Sequence, residues 1–438
     1  MLTIIFCLLT ILGCYYWHRR KFVHFLTVVF LLLTNFINLD MQESLIKSID
    51  FFVVLMLYII VSSNKSLYRL LSVRGDKVGV FVRHVLVFLT LSFVITVVLG
   101  IESFSFALKV YRTFGYFLFY FILREIPKSE FIKALRIIIY ISMIWGILFL
   151  LQLFGLDLLK GSVEIDSASG TFSRMRNIPL TSVITIVAVV LSDIKPRIKI
   201  GLILFWSGIL VLSQHRGVML SLLVAIPLLM IIRHEFKKIM VLAIAFGLVI
   251  LFFSPMIASR FSSEANDNGM STLEEIKYGL TMKSGSSYVQ GSGTFLFRLF
   301  LIRERVEYML EDPVRLMFGN GMMHEDSPAT QRKFHFQMGT YKYGSGSAVM
   351  QQISTSDVGL LTFFIRFGLT FFVLLIIMSI RLFRHFIQNR NLGADIGFVL
   401  LTYCFLRVLS GEEFTMLMFL QIFCCYIYSM NNRNSVRL

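Results

Sequence analysis

Apolar runs long enough to cross a bilayer recur along the whole of this 438-residue chain. The hydrocarbon core is about 30 Å thick and takes roughly 20 helical residues to span. Such runs lie near 2–17, 22–38, 45–62, 80–99, 104–123, 131–155, 178–193, 197–213, 217–232, 238–254, 356–380, 395–409 and 413–430. Lipid offers no partner to an open backbone N–H or C=O, so runs of this kind fold as helices. The expected fold is all-α, a polytopic helical membrane protein with about 12–14 transmembrane helices. Composition agrees: 56% of residues are hydrophobic and only 16% charged, against about 45–50% apolar in a soluble domain.

The net charge of +16 would point to nucleic acid in a soluble protein. Here the cations sit in short loops and set topology, so no nucleic-acid partner is expected. One set of loops is basic: His18–Lys21, Asn64–Lys77, Arg124–Lys133, Lys195–Lys199, Arg233–Lys238, Arg381–Arg390 and the tail Asn431–Leu438. The alternate set, Asn38–Ser44, Gly100–Ser103 and Ser410–Glu413, has no Lys or Arg. The positive-inside rule assigns the basic set to the cytoplasm. The expected N-terminus is then outside and the C-terminus inside. Residues 1–17 have no basic stretch before them, so they are expected to stay as a first helix rather than act as a cleaved signal. The five cysteines all fall in apolar runs, with neither metal-ligand spacing nor a disulfide pattern.

One long segment, 254–355, is not a membrane run. It divides the chain into a helix bundle (1–253), a large outer loop (254–355) and a C-terminal group of helices (356–438). Within the loop, Thr294–Leu310 reads as a short helix bearing Arg298, Arg303 and Arg305, with Pro313 just beyond its end. The same side of the membrane receives Arg174, Arg176 and Arg216, although the rule predicts few cations there. Arginine's planar fork matches phosphate oxygens. Solvated surface charge and contact with lipid headgroups are the competing readings. Lys109 and Arg112 lie three apart on one helix face, and Arg366 sits within the run after the loop. Ionisable groups inside a membrane are costly and point to function unless they pair internally. Lys47 with Asp50, and Arg407 with Glu412 and Glu413, are expected to neutralise each other. The proton acceptors available are His215, His324, His335, Glu325, Asp326, Asp357, Glu274 and Glu275, any of which could equally be solvated. Aromatic residues in the loop suit sugar faces or simply pack it onto the helices.

Four segments together resemble the O-antigen polymerase and ligase superfamily. Thr171–Leu180 (TFSRMRNIPL) resembles its Gly-x-Phe…Asn-Pro segment, and Ser213–Gly217 (SQHRG) its Ser-Arg-Gly turn. Arg298–Gly321, ending in FGNG, is similar to its Arg…Pro…Gly-x-Gly run, and Ser356–Leu369 (SDVGLLTFFIRFGL) to the start of its post-loop helix. The order matches over roughly residues 165–380. The resemblance implies a metal-independent, cofactor-free glycosyltransferase at the periplasmic face of a bacterial inner membrane. It implies an undecaprenyl-diphosphate-linked glycan as both donor and acceptor, with membrane lipid around it, and it admits a chain-length-regulating membrane protein as a further partner. The diphosphate-binding candidates are Arg176, Arg216, Arg298, Arg366, Arg112 and Lys109. Ligases of the superfamily carry a His-Asn pair where this chain has Ser356-Asp357, which favours a polymerase and leaves Asp357 and His335 as candidate bases. A ligase, a lipid-linked oligosaccharide flippase and a non-catalytic scaffold are the alternatives.

Overall fold

The computed structural model describes residues 2–33, 47–63, 70–73, 75–156, 163–164, 174–175, 181–213, 216–235, 247, 294–330, 333–334, 338–341, 348–353, 358–407 and 416–430. The run expected near 238–254, apart from residue 247, and the loop before Thr294 lie outside them. The helices are α1 Leu2–His18, α2 Phe22–Leu33, α3 Ser48–Ser62, α4 Lys77–Val98, α5 Phe104–Tyr111, α6 Gly115–Leu123, α7 Lys128–Leu151, α8 Ser182–Leu191, α9 Pro196–Ser213 and α10 Arg216–Arg233. Further along the chain come α11 Thr294–Leu310, α12 Pro313–Phe318, α13 Gly359–Gln388, α14 Leu392–Leu406 and α15 Met416–Met430. Two short antiparallel ribbons accompany them, β1 Val163–Glu164 with β2 Arg174–Met175, and β3 Met338–Tyr341 with β4 Ala348–Gln351.

Among the described residues, four stretches are long and apolar enough to cross a membrane: Lys77–Val98, Phe104–Leu123, Lys128–Phe154 and Gly359–Gln388. Shorter apolar helices pack around them. The chain is an all-α, multi-pass membrane protein. Its outer faces agree, because α4 turns Val87, Leu91, Val94, Ile95 and Val98 outward and α7 turns Ile144 and Ile147 outward. A water-soluble protein rarely leaves such continuous apolar faces uncovered. In contrast, every residue of α14 from Gly393 to Cys404 except Asp395 is buried. A helix apolar on all sides belongs at the centre of a bundle, and α14 is wrapped by α8, α10, α13 and α15. Gly397 admits the Phe386 ring there; a Cβ would overlap it.

Polar clamps hold the end of the bundle that carries the basic loops. Asp76 caps α4 by accepting from Gly79 N–H at 2.8 Å. Its buried carboxylate also accepts from the hydroxyls of Tyr120 at 2.5 Å and Tyr426 at 3.0 Å, and it faces Arg124 at 3.5 Å. That one side chain ties α4, α6 and α15 together. Arg233, at the end of α10, pairs with Asp395 and donates to the carbonyls of Phe386, Ile387 and Asn389. It therefore satisfies the open C-terminus of α13.

Two helices are interrupted. A 3₁₀ turn, Arg112–Phe114, separates α5 from α6. Within α13, Gly368 leaves helical geometry at φ 63°, ψ −164°. The interruptions are neighbours, since Phe114 packs edge-on to Phe367 at 5.2 Å.

The expectation for Asp50 needs correcting. Its ionic partner is Arg112, from the 3₁₀ turn. Lys47 contributes only its backbone N–H, 3.2 Å from the Asp50 carboxylate. Sequence proximity favoured Lys47, but tertiary packing of α3 against the turn brings Arg112 closer.

Candidate functional site

The site forms where α13 breaks. A helical carbonyl normally accepts from the N–H four residues on. The left-handed turn at Gly368 diverts that pattern and leaves the carbonyls of Ile365 and Arg366 open. The segment after α12, Phe318-Gly319-Asn320-Gly321, fills them. Asn320 N–H donates to Ile365 O at 2.9 Å, and Gly321 N–H to Arg366 O at 2.8 Å. The Asn320 amide adds a second bond to Ile365 O at 2.9 Å. Gly319 and Gly321 both stand at φ 77°. A Cβ on Gly319 would overlap the Arg366 carbonyl, and one on Gly368 would meet the Leu316 and Met317 carbonyls at 2.6 Å. Main chain lies on main chain here, which only glycine permits.

The same segment is strapped to α4 and α5 on its other side. Met322 N–H donates to Thr96 Oγ1 at 3.1 Å and His324 N–H to Glu102 Oε2 at 3.3 Å. Glu102 is 6% exposed and also accepts from Ser103 N–H at 2.9 Å. Ser103 in turn caps α5. The His324 ring stacks on Phe106 with centroids 5.3 Å apart, and Lys109 Nζ lies 4.7 Å from the centre of the same Phe106 ring.

Behind the segment stands a small polar scaffold on a second hydrophobic core, which includes Leu301, Met323, Phe334, Ile353, Leu361 and Ile365. Glu325 accepts from the N–H groups of Gln352 and Ile353. The Gln352 side chain accepts from Lys333 and Phe334 N–H. Arg305 is fully buried, stacked over Phe334 at 4.5 Å, paired with Glu304 and donating to Gln352 O at 3.0 Å. Burial pulls its guanidinium down to about 10 against the pull of Glu304 and Glu325, so it stays charged at neutral pH. Tyr308 Oη donates to the Asn320 side chain at 3.0 Å, holding the loop from below.

The sequence-derived cations separate into groups. Lys109 and Arg366, from helices far apart in the chain, both act electrostatically on His324. Burial lowers the His324 pKa first; Lys109 and Arg366 lower it further, while Asp326 and Glu325 oppose them. Arg112 is close to the break through Phe114 but is compensated by Asp50. Arg298 is partly buried on α11, which packs on α13. Arg216 begins α10, and its side chain lies outside the described residues. Arg176, His335 and Asp357 also lie outside them. Arg303 pairs with Glu307 at 2.8 Å on the helix surface.

Three contributors escaped the sequence reading: Thr96, Glu102 and Gly368. Glu102 had a signal, as a carboxylate in a short turn without lysine or arginine. Gly368 had only its place in Phe367-Gly368-Leu369, which hydropathy reads as uninterrupted helix. Among the described residues no group of three His, Cys, Asp or Glu side chains is placed to hold a metal ion. A cleft elsewhere, lined by Leu26, Phe131, Ile138, Ile396 and Cys424 among others, is almost wholly apolar and suits no anionic headgroup.

Together these features define a polytopic helical membrane protein with a broken helix, a glycine loop docked into the break and two cations beside it. No family model, no curated protein and no solved structure matches the chain.

Proposed function

We propose that the protein is a surface-polysaccharide polymerase of the O-antigen type, joining undecaprenyl-diphosphate-linked repeat units at the periplasmic face of a bacterial inner membrane. The observation carrying this reading is the glycine loop docked on the Arg366 carbonyl, with Lys109 over the Phe106 ring that stacks on His324. Cations at a helix break near a membrane boundary suit a lipid-linked diphosphate, whose headgroup is anionic and whose tail remains in lipid. In the reaction an acceptor hydroxyl attacks the anomeric carbon of the donor, the bond from that carbon to the diphosphate oxygen breaks, and the diphosphate leaves as an anion. Lys109, Arg366, Arg216, Arg298 and Arg176 stabilise that charge; Arg112 is drawn in when Asp50 releases it. Asp357 or His335 takes the hydroxyl proton. The N-terminus is then periplasmic and the C-terminus cytoplasmic. A ligase that transfers the finished chain to lipid A core would use the same donor.

Purified protein in nanodiscs, given a lipid-linked repeat unit, should build a ladder of products. Arg366→Ala and Lys109→Ala should each lower kcat about 10²–10³-fold, the usual loss of one preorganised charge-stabilising donor. Undiminished ladders from both variants would remove these cations from the reaction.

One observation favours a second reading. Discontinuous membrane helices are a hallmark of transporters, whose binding sites use the exposed backbone at the break. A lipid-linked-sugar flippase would move labelled substrate across a proteoliposome without lengthening it.

A further inference from the structure

We infer that His324 acts on the departing diphosphate as a neutral hydrogen-bond donor, not as the base of the reaction. The inference rests on the polymerase reading and assigns a residue within its site. Asp326 N–H lies 3.1 Å from His324 Nδ1. An N–H donates only to a bare ring nitrogen, so Nδ1 is unprotonated and the proton of the neutral ring sits on Nε2. The Asp326 carboxylate is 3.8 Å from Nδ1, too long to compete as a hydrogen-bond partner. Nε2–H has no protein partner among the described residues, and the side chain keeps 23% of its surface open. The ring cannot turn freely, because Phe106 stacks on one face and Glu102 holds the His324 backbone N–H.

The charged groups acting on the ring are Lys109 and Arg366 on one side of the balance and Asp326 and Glu325 on the other. Glu325 is occupied by the Gln352 and Ile353 N–H groups. Cations acting on a histidine keep it neutral, and its Nε2–H edge is then a donor. Such an edge fits an anionic oxygen. It does not fit a base, because the only lone pair on the ring is already taken by Asp326 N–H. The proton on Nε2 stays there throughout, and the acceptor hydroxyl must lose its own proton to another group.

The test uses the full chain in nanodiscs with geranylgeranyl diphosphate as probe, together with the elongation assay. His324→Gln retains an N–H donor and can act neither as base nor as cation. His324→Leu removes the donor and keeps the bulk. The Gln variant should bind the probe within about threefold of the parent and keep a similar fraction of kcat. The Leu variant should lose about tenfold or more in both, the worth of one hydrogen bond to a charged group. On the acid side the parent should lose kcat as a proton on Nδ1 displaces Asp326 N–H, whereas the Gln variant should not; a base would instead leave the Gln variant with no appreciable rate at any pH. The inference is overturned if the Gln variant binds the probe normally yet elongates no faster than the Leu variant, since His324 is then the base. It also fails if both variants bind as the parent does, in which case the polymerase reading survives. A parent that binds no probe removes both.

Discussion

Single glycines decide whether the site exists. Gly368 stands at φ 63° with carbonyls of Leu316 and Met317 where a Cβ would go. Gly368→Ala should therefore cost about 1–3 kcal/mol in backbone strain and push the glycine loop off α13. Gly319→Ala acts from the other side of the same contact. Both variants should insert into membranes, melt earlier in detergent and lose elongation; a Gly319→Ala protein with unchanged Tm and activity would show that the contact is dispensable. His324 makes a pH prediction. Its pKa is lowered in the folded protein below the ordinary value of 6.5, so the unfolded chain binds the proton more readily. Its contribution to stability is complete above about pH 6.5 and is lost as the pH falls through the lowered value. Protonation at Nδ1 would also break the bond from Asp326 N–H. The parent should lose stability on the acid side relative to His324→Gln, measured by thermal unfolding from pH 7.5 down to about pH 5.

At the scale of elements, α11 shows how similar residues divide between roles. Arg298, Arg303 and Arg305 look alike in sequence as an outward row of cations. Arg305 is buried and Arg303 is paired with a Glu307 that is 58% exposed. Arg303→Ala should change stability by less than about 1 kcal/mol. Arg305→Ala strips the partner from Glu304 and Gln352 and should cost about 3 kcal/mol or more, read as faster protease cleavage between α11 and α13. The helix pattern itself was legible: Thr294–Leu310 matches its sequence assignment residue for residue. Termini were less so. α13 runs to Gln388, eight residues past its expected end at 380, because hydropathy stops at Arg381 while the backbone continues to a terminus capped by Arg233. The break inside α13 could not be read, since glycine among phenylalanines scores as membrane. Nor could the Asp50–Arg112 pair, because its two halves are 62 residues apart.

For the whole molecule, the two ends of the bundle are built differently. The end with the basic loops is locked by side-chain clamps centred on Asp76 and Arg233. The opposite end is held largely by main-chain N–H groups, which the Glu102 and Glu325 carboxylates and the Ile365 and Arg366 carbonyls accept. Asp76→Asn should weaken the ties among α4, α6 and α15 and lower Tm without changing the affinity for geranylgeranyl diphosphate. A fall in affinity that matched the fall in Tm would mean that the two ends are not independent. The hydropathy pattern showed a bundle of membrane helices. It could not show which cations act on one histidine, because that depends on how the glycine loop seats between α13 and the end of α4.

The anchoring of the glycine loop on α13 has a mechanical corollary. Because Asn320 and Gly321 grip the carbonyls of Ile365 and Arg366, the stretch from Gly359 to Phe367 is tied to the glycine loop that follows α12. Rotation at Gly368 would then carry the Arg366 guanidinium along. On the polymerase reading, any rotation there that released product would also withdraw that charge from the substrate, so exchange and grip would be geared to a single joint.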